Sequence, residues 1–371
     1  IGTGSNSSAT FLGTDLSGAI TIPSTITDGG VTYNVTGIGE YAFYGCTGLT
    51  SVDLGNSVTT IGQYAFQSCS SLTSIDLPDS VTSIGYAAFY QCSSLASVDL
   101  GNSVTTIGSS AFQYCSSLTS ITVDANNNSF SDINGVLFNK DQSTLIQYPI
   151  GKTATSYTIP DSVTTIGEYA FYRCSSLTSI DLPNSLTTIG NYAFRECSSL
   201  TSIHFPNSLT TIGRYAFYNC TNLTSIDLSG TQVETIGFGA FYGCSSLTSI
   251  DLGNSLTTID RLGFYYCTSL TSITIPDSVT TIVVYAFYGI GSPSTFYVKG
   301  NVQTIENLVI NSFVNGTATF TQWVAPNYAP NTPTLSDISC NENTNTPYNA
   351  TVSATDDNGD ALTFSLSGAD S

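Results

Sequence analysis

Residues 162–184 read Ser162-Val-Thr-Thr-Ile-Gly-Glu-Tyr-Ala-Phe-Tyr-Arg-Cys-Ser-Ser-Leu-Thr-Ser-Ile-Asp-Leu-Pro-Asn184. Residues 185–207 repeat this string with few changes, at a period of 23. Nine cysteines, Cys46, Cys69, Cys92, Cys115, Cys174, Cys197, Cys220, Cys244 and Cys267, mark nine such copies. A fixed period of this length is the signature of a stacked solenoid, in which each unit buries its apolar side only against its neighbours.

Within the unit, Leu177-x-x-Ile180-x-Leu182 fits a leucine-rich-repeat pattern, a short strand that turns alternate apolar side chains into a shared core. Pro183 stops the strand. Ile166-Gly167 then leads into Ala170-Phe171-x-x-Cys174, apolar residues at helical spacing in a segment too short for more than one or two turns. The expected architecture is a right-handed leucine-rich-repeat solenoid of short parallel strands and short helical turns, with the column from Phe43 to Phe287 buried throughout.

The pattern Ile-Gly-x-Tyr-Ala-Phe-x-x-Cys-Ser-Ser-Leu-Thr-Ser-Ile-x-Leu-Pro closely resembles the BspA-type leucine-rich repeats of bacterial and protozoan surface proteins. The resemblance spans roughly residues 20–290. It extends to the entry segment from Ala19-Ile-Thr-Ile-Pro to Ile38-Gly39, and to an island running from Gly135-Val-Leu-Phe to Tyr148-Pro-Ile-Gly-Lys152. It implies an extracellular, secreted or surface-held adhesin that contacts a protein or glycan on another cell or matrix, and names no ligand.

Composition narrows the partners. Seven Lys plus Arg stand against 26 Asp plus Glu, a net charge of −19, so the basic patches that bind nucleic acid or anionic membrane are missing. No 18-residue apolar run is present to span a membrane. The chain opens at Ile1 without Met or a signal segment, as expected of a mature or truncated form. Sequons at Asn6, Asn34, Asn127, Asn219, Asn222, Asn315 and Asn349 would matter only in a eukaryotic secretory pathway. Nine of the ten cysteines occupy one repeat position, about 4.8 Å from their neighbours, which favours a ladder of buried free thiols over disulfides. Zinc is disfavoured because no two cysteines are two to four residues apart and there is one histidine.

Along the chain, residues 1–45 read as an N-terminal cap and 46–293 as the solenoid. Residues 124–159 form one enlarged unit, because Cys115 and Cys174 are 59 residues apart. In it Val136-Leu-Phe and Leu145-Ile-Gln-Tyr are expected to form a hairpin projecting from the stack. Residues 294–324 read as a closing cap and 325–333, with three prolines, as a linker. Residues 334–371 resemble the opening strands of a bacterial cadherin-like module, too short for the whole sandwich. That second resemblance implies calcium as the one cofactor, with Glu342, Asp356 and Asn358 matching its motif, although the linker lacks the acidic residues that complete such a site.

The sequence carries no enzyme signature. His204 is the only histidine for a Ser-His-Asp or Cys-His centre, and it sits mid-strand in Ile203-His204-Phe205. Two binding surfaces are expected instead. On the strand, Asp181, His204 and Asp227 fall in one exposed column, where both carboxylates favour a protonated imidazole that relieves their repulsion or meets a partner. After the Phe, a tyrosine column that includes Tyr172 and Tyr218 covers apolar edges or meets a ligand, with Arg195 between those two rings and able to lie over either. The chain is expected to be monomeric. The alternatives are a structural spacer that displays another module and, more remotely, a glycan-hydrolysing surface or an ice-binding lattice of paired threonines such as Thr59-Thr60 and Thr164-Thr165.

Overall fold

The computed structural model describes residues 16–291 and the strands Ser294–Val298, Ala318–Gln322, Thr334–Leu335, Asn349–Thr355 and Ala361–Ser367. Glu342, Asp356 and Asn358, with the proposed linker, lie outside the described residues. The chain divides into two compact units, one of Ile1–Ala154 with Ser162–Ser176, the other of Thr155–Asp161 with Leu177–Ser371.

Each unit is a parallel β-solenoid. In the first, Ser17–Thr21, Gly48–Asp53, Ser74–Asp76, Ser97–Leu100 and Ser120–Val123 pair side by side in that order. In the second, Ser179–Asp181 pairs with Ser156–Thr158 and Ser202–Ile203, and Ser225–Asp227 with Ser249–Asp251. Partners such as Ser51 and Ser74 are one 23-residue repeat apart. The middle residue of each strand points inward: Ile75 is buried between exposed Ser74 and Asp76. A second ladder of Thr-Ile pairs, such as Thr60–Ile61 with Ser83–Ile84 and Thr188–Ile189 with Thr211–Ile212, closes another side of each coil. Ser272–Ile275, Ser294–Val298 and Ala318–Gln322 pair in parallel as a further sheet. Thr334–Leu335, Asn349–Thr355 and Ala361–Ser367 form a separate antiparallel sheet.

Aromatic stacking fills the interior. Phe194, Phe217, Phe241, Phe264 and Phe287 are all fully buried, and their rings stack in near-parallel pairs with centroids 5.1 to 5.5 Å apart. Beside them the thiols form the expected buried, unbridged column. Cys69, Cys92, Cys115, Cys174, Cys220, Cys244 and Cys267 turn the proton to the backbone of the coil before: Cys220 Sγ donates to Phe194 O and Cys115 Sγ to Phe89 O, both at 3.1 Å. Burial pushes Cys69, Cys115 and Cys244 from an ordinary 9.0 to about 12.

The segment expected as a short helix is a ribbon of turns, and no helix occurs among the described residues. Alternate amides explain the difference. Ala193, Arg195 and Cys197 close local turns onto Gly190, Tyr192 and Phe194, whereas Tyr192, Phe194 and Glu196 donate to Arg214, Ala216 and Tyr218 of the next coil. A helix would use all these N–H groups internally, leaving the neighbouring coil's carbonyls unmet. The ribbon requires left-handed backbone at Tyr192 (φ 57°) and Glu196 (φ 60°), a conformation uncommon for residues other than glycine.

The enlarged unit also departs from expectation. Val136–Asn139 and Thr144–Gln147 do pair as a hairpin, with Phe130–Ile133 on the outer side. The hairpin does not project, because Leu137, Phe138 and Leu145 are fully buried and Thr144–Gln147 pairs in parallel with Thr165–Ile166. Tyr148, 23 residues before Phe171, takes the phenylalanine's place, stacking on Phe171 at 5.3 Å while its carbonyl accepts from Cys174 Sγ. Asn127 pins the entry with its whole hydrogen-bonding capacity. It donates to Gly101 O and Val104 O and accepts from the amides of Ser129 and Phe130. This burial rules Asn127 out as a glycan acceptor.

Candidate functional site

Two long surfaces face solvent in each unit, and both follow from the repeat. The strand face carries the carboxylates. Asp53, Asp76 and Asp99 stand in register in the first unit, as do Asp227 and Asp251 in the second, and the pairing of Ile180 with Ile203 sets His204 beside Asp181. Asp99 accepts from the hydroxyl of Thr122 at 3.0 Å, whereas Asp53, Asp227 and Asp251 fold onto residue i+2, accepting from the amides of Gly55, Ser229 and Gly253 at 2.8 to 2.9 Å. That Asx turn ends the strand. The hydroxyl and amide of Ser229, with a smaller contribution from His204, hold Asp227 below the usual carboxylate range. Asp181 accepts from the hydroxyl of Thr158 at 3.0 Å. The expected column of Asp181, His204 and Asp227 is therefore present and exposed, with its acids held by local donors.

The threonines are likewise occupied. Thr210, Thr257 and Thr280 each donate both N–H and Oγ1–H to one carbonyl of the preceding coil, at Thr187, Glu234 and Thr257. The first hydroxyl of these Thr-Thr pairs, as of those at Thr59, Thr105 and Thr164, is thus spent on joining coils rather than on forming a surface lattice. Among the described residues no group of three or more His, Cys, Asp or Glu could hold a metal ion.

The turn face of the second unit is different in character. Tyr218, Tyr242, Tyr265 and Tyr288 occupy one repeat column and stack with centroids 4.8 Å apart at each step. Tyr215, Tyr266 and Tyr285 meet this ladder edge-on at 5.6, 4.6 and 6.0 Å. Glycines make room: a Cβ on Gly239 or Gly289 would lie 2.5 Å from the ring of Tyr215 or Tyr266. Desolvation first, and neighbouring phenols second, raise the pKa of Tyr215, Tyr242 and Tyr265. Their hydroxyls thus stay protonated and able to donate. Tyr266 remains 44 % exposed.

The arginines join this face. Arg195 lies over Tyr218, 4.7 Å from the ring centroid, and its Nε meets Glu196 Oε1 at 3.2 Å. Arg214 lies over Phe238 at 5.1 Å and Arg261 over Tyr285 at 5.6 Å. Arg195 and Tyr218 are therefore brought together as expected. Tyr172 is not available as a contact. It is buried at 4 %, with its hydroxyl hydrogen-bonded to that of Tyr114. Sequence reasoning passed over Arg214, Phe238 and Arg261, which share the position before the Tyr-Ala-Phe column. A tabulation of substitutions at that position would have found them.

The family described as BspA type leucine rich repeat region matches in six copies over residues 7–144, 151–236 and 230–322. No curated protein matches the sequence. Among solved structures, a leucine-rich repeat protein from Eubacterium ventriosum is similar at 30 % identity and TM-score 0.62, over 73 % of this chain and 76 % of that one. The pneumococcal vaccine antigen PcpA is similar at 25 % identity and TM-score 0.62, over 85 % and 91 %. A leucine rich cell surface protein from Faecalibacterium prausnitzii is similar at 26 % identity and TM-score 0.50, over 78 % and 90 %. Among the described residues no helix is long and apolar enough to cross a membrane.

Proposed function

Because the chain belongs to the BspA-type leucine-rich-repeat family, we propose that it is a non-enzymatic adhesin, secreted or held at a cell surface, and that the turn face of its second unit binds a protein ligand. The observation that carries this reading is the ladder from Tyr218 to Tyr288 with Arg195, Arg214 and Arg261 laid over its rings and their neighbours. Tyrosine and arginine dominate recognition surfaces because they offer large, rigid, amphipathic contact area at small entropic cost. Here the stacking fixes the side chains before any partner arrives, which lowers the ordering cost of binding. Ring faces are used within the ladder, so hydroxyls and ring edges are what a partner meets. That suits the backbone and side-chain polar groups of a protein better than sugar rings, which stack on exposed aromatic faces. Two of the similar structures are, by their descriptions, a vaccine antigen and a cell surface protein, in keeping with an exposed location.

The test is binding of the full chain to a panel of immobilised matrix proteins and glycans. Tyr242→Ala with Arg214→Glu is expected to weaken capture about tenfold or more while leaving the thermal midpoint near wild type. Capture that is indifferent to this pair but lost in Asp53→Asn with Asp76→Asn would move the site to the strand face.

A further inference from the structure

The distribution of the few cations points to a partner. The chain has only four arginines, Arg173, Arg195, Arg214 and Arg261, and each guanidinium lies over an aromatic ring of the turn face. Three belong to the second unit. Starting from Arg261 and moving toward the N-terminus, the same column presents Phe238 on the next coil and Arg214 on the one after, whereas Arg195 stands on the fourth coil in the tyrosine column, paired with Glu196. In the column of Arg261 cations thus stand on the first and third coils, with an aromatic ring on the second. On the strand face of the same unit, starting from Asp181 and moving toward the C-terminus, successive coils present Asp181, His204, Asp227 and Asp251, all exposed. Carboxylates stand on the first, third and fourth coils, with an imidazole on the second. Both series advance by one coil per step, the step that separates the stacked tyrosines by 4.8 Å.

We propose that the turn face of the second unit receives the strand face of a second copy of this chain, running antiparallel. Arg261 then meets the partner's Asp181 and Arg214 the partner's Asp227, while Phe238 packs against the partner's His204. The proposal rests on the turn face being a binding surface, and it names the ligand. Over these three coils the two series match in sign and order, cation, ring, cation against carboxylate, imidazole, carboxylate. Both sides are preorganised, the guanidiniums by their rings and the carboxylates of Asp227 and Asp251 by the amides of Ser229 and Gly253. The two faces occupy different sides of the coil. The contact is therefore heterologous and does not close, and copies add in line rather than stopping at a dimer. A net charge of −19 opposes approach, so the contact is weak and forms where copies are crowded, as between two cell surfaces.

Sedimentation velocity of the full chain over a wide concentration range tests this. Wild type is expected to grow past the dimer as concentration rises. Arg214→Glu with Arg261→Glu, and separately Asp181→Lys with Asp227→Lys, are each expected to weaken association about tenfold or more. Mixing the two variants is expected to restore it, because each then offers the other a complementary face; urea midpoints equal to wild type establish that both are folded. A wild type that stays monomeric, association unaffected in either variant, or a mixture that fails to assemble would overturn the proposal. If wild type stays monomeric while Arg214→Glu with Arg261→Glu loses capture on the matrix panel, self-docking falls and the turn-face reading stands. If panel capture also persists in that variant, both fall.

Discussion

Raising the pH interrogates the thiol column from inside. Cys115 is fully buried, donates to Phe89 O at 3.1 Å, and is pushed by desolvation from 9.0 to about 12. Between those values the unfolded chain has released this proton while the folded chain retains it. The folded pKa is raised, so the stability tied to this group is complete below the unfolded value and falls as pH climbs toward the folded one. The slope is about −1.4 kcal/mol per pH unit for one thiol, accumulating to about 4 kcal/mol across the window. In Cys115→Ala the removed sulfur costs about 1 kcal/mol at neutral pH, but the slope loses one proton's worth. Urea unfolding of both chains at a series of pH values gives two lines that should converge and cross within about one pH unit above 9. Ionising tyrosines affect both chains alike and cancel in the comparison. Lines that remain parallel through the window would mean that Cys115 ionises in the folded state, and the account of a dry thiol ladder would fail.

Phe194→Ala removes a fully buried ring stacked on Phe217 and should cost about 3 to 5 kcal/mol, splitting the urea transition in two because each coil leans only on its neighbours; one sharp transition shifted by under about 1 kcal/mol would refute the register. Gly289→Ala places a Cβ against the Tyr266 ring at a position with φ 71°, so a loss of about 1 to 2 kcal/mol is expected together with a changed near-ultraviolet dichroism of the tyrosines. For Asp227, whose lowered pKa gives stability present above the unfolded value and lost as pH falls, Ser229→Ala should raise the carboxyl's titration more than His204→Asn does, as carbon-detected NMR would report.

The repeat made most of the fold legible. A 23-residue period set the register, and the Phe and Cys columns named the core before any coordinates did. The turn ribbon was hidden because Ala170, Phe171 and Cys174 have the spacing of a helix, and only the destination of alternate amides separates the two structures. The enlarged unit misled in a similar way. Its two apolar runs do form a hairpin, but Tyr148 falls on the phenylalanine register when counted back from Phe171, and that count places the hairpin inside the stack. Of the site, the column of Asp181, His204 and Asp227 and the contact of Arg195 with Tyr218 follow from register alone. The burial of Tyr172 does not, because it depends on Tyr114, which lies across the enlarged unit and outside the simple period. Arg214, Phe238 and Arg261 escaped notice because each sits alone in its own repeat and becomes a surface only when the coils are stacked.

The claim that the turn face of the second unit is the recognition surface is tested most directly by hydroxyl-radical footprinting of the full chain, free and saturated with a matrix protein captured from the panel. The chain is held dilute enough that copies do not associate. Protection of Tyr218, Tyr242, Tyr265, Tyr266 and Tyr288, with His204 still reactive, is the predicted result; protection of His204 with the tyrosine ladder unchanged would contradict it.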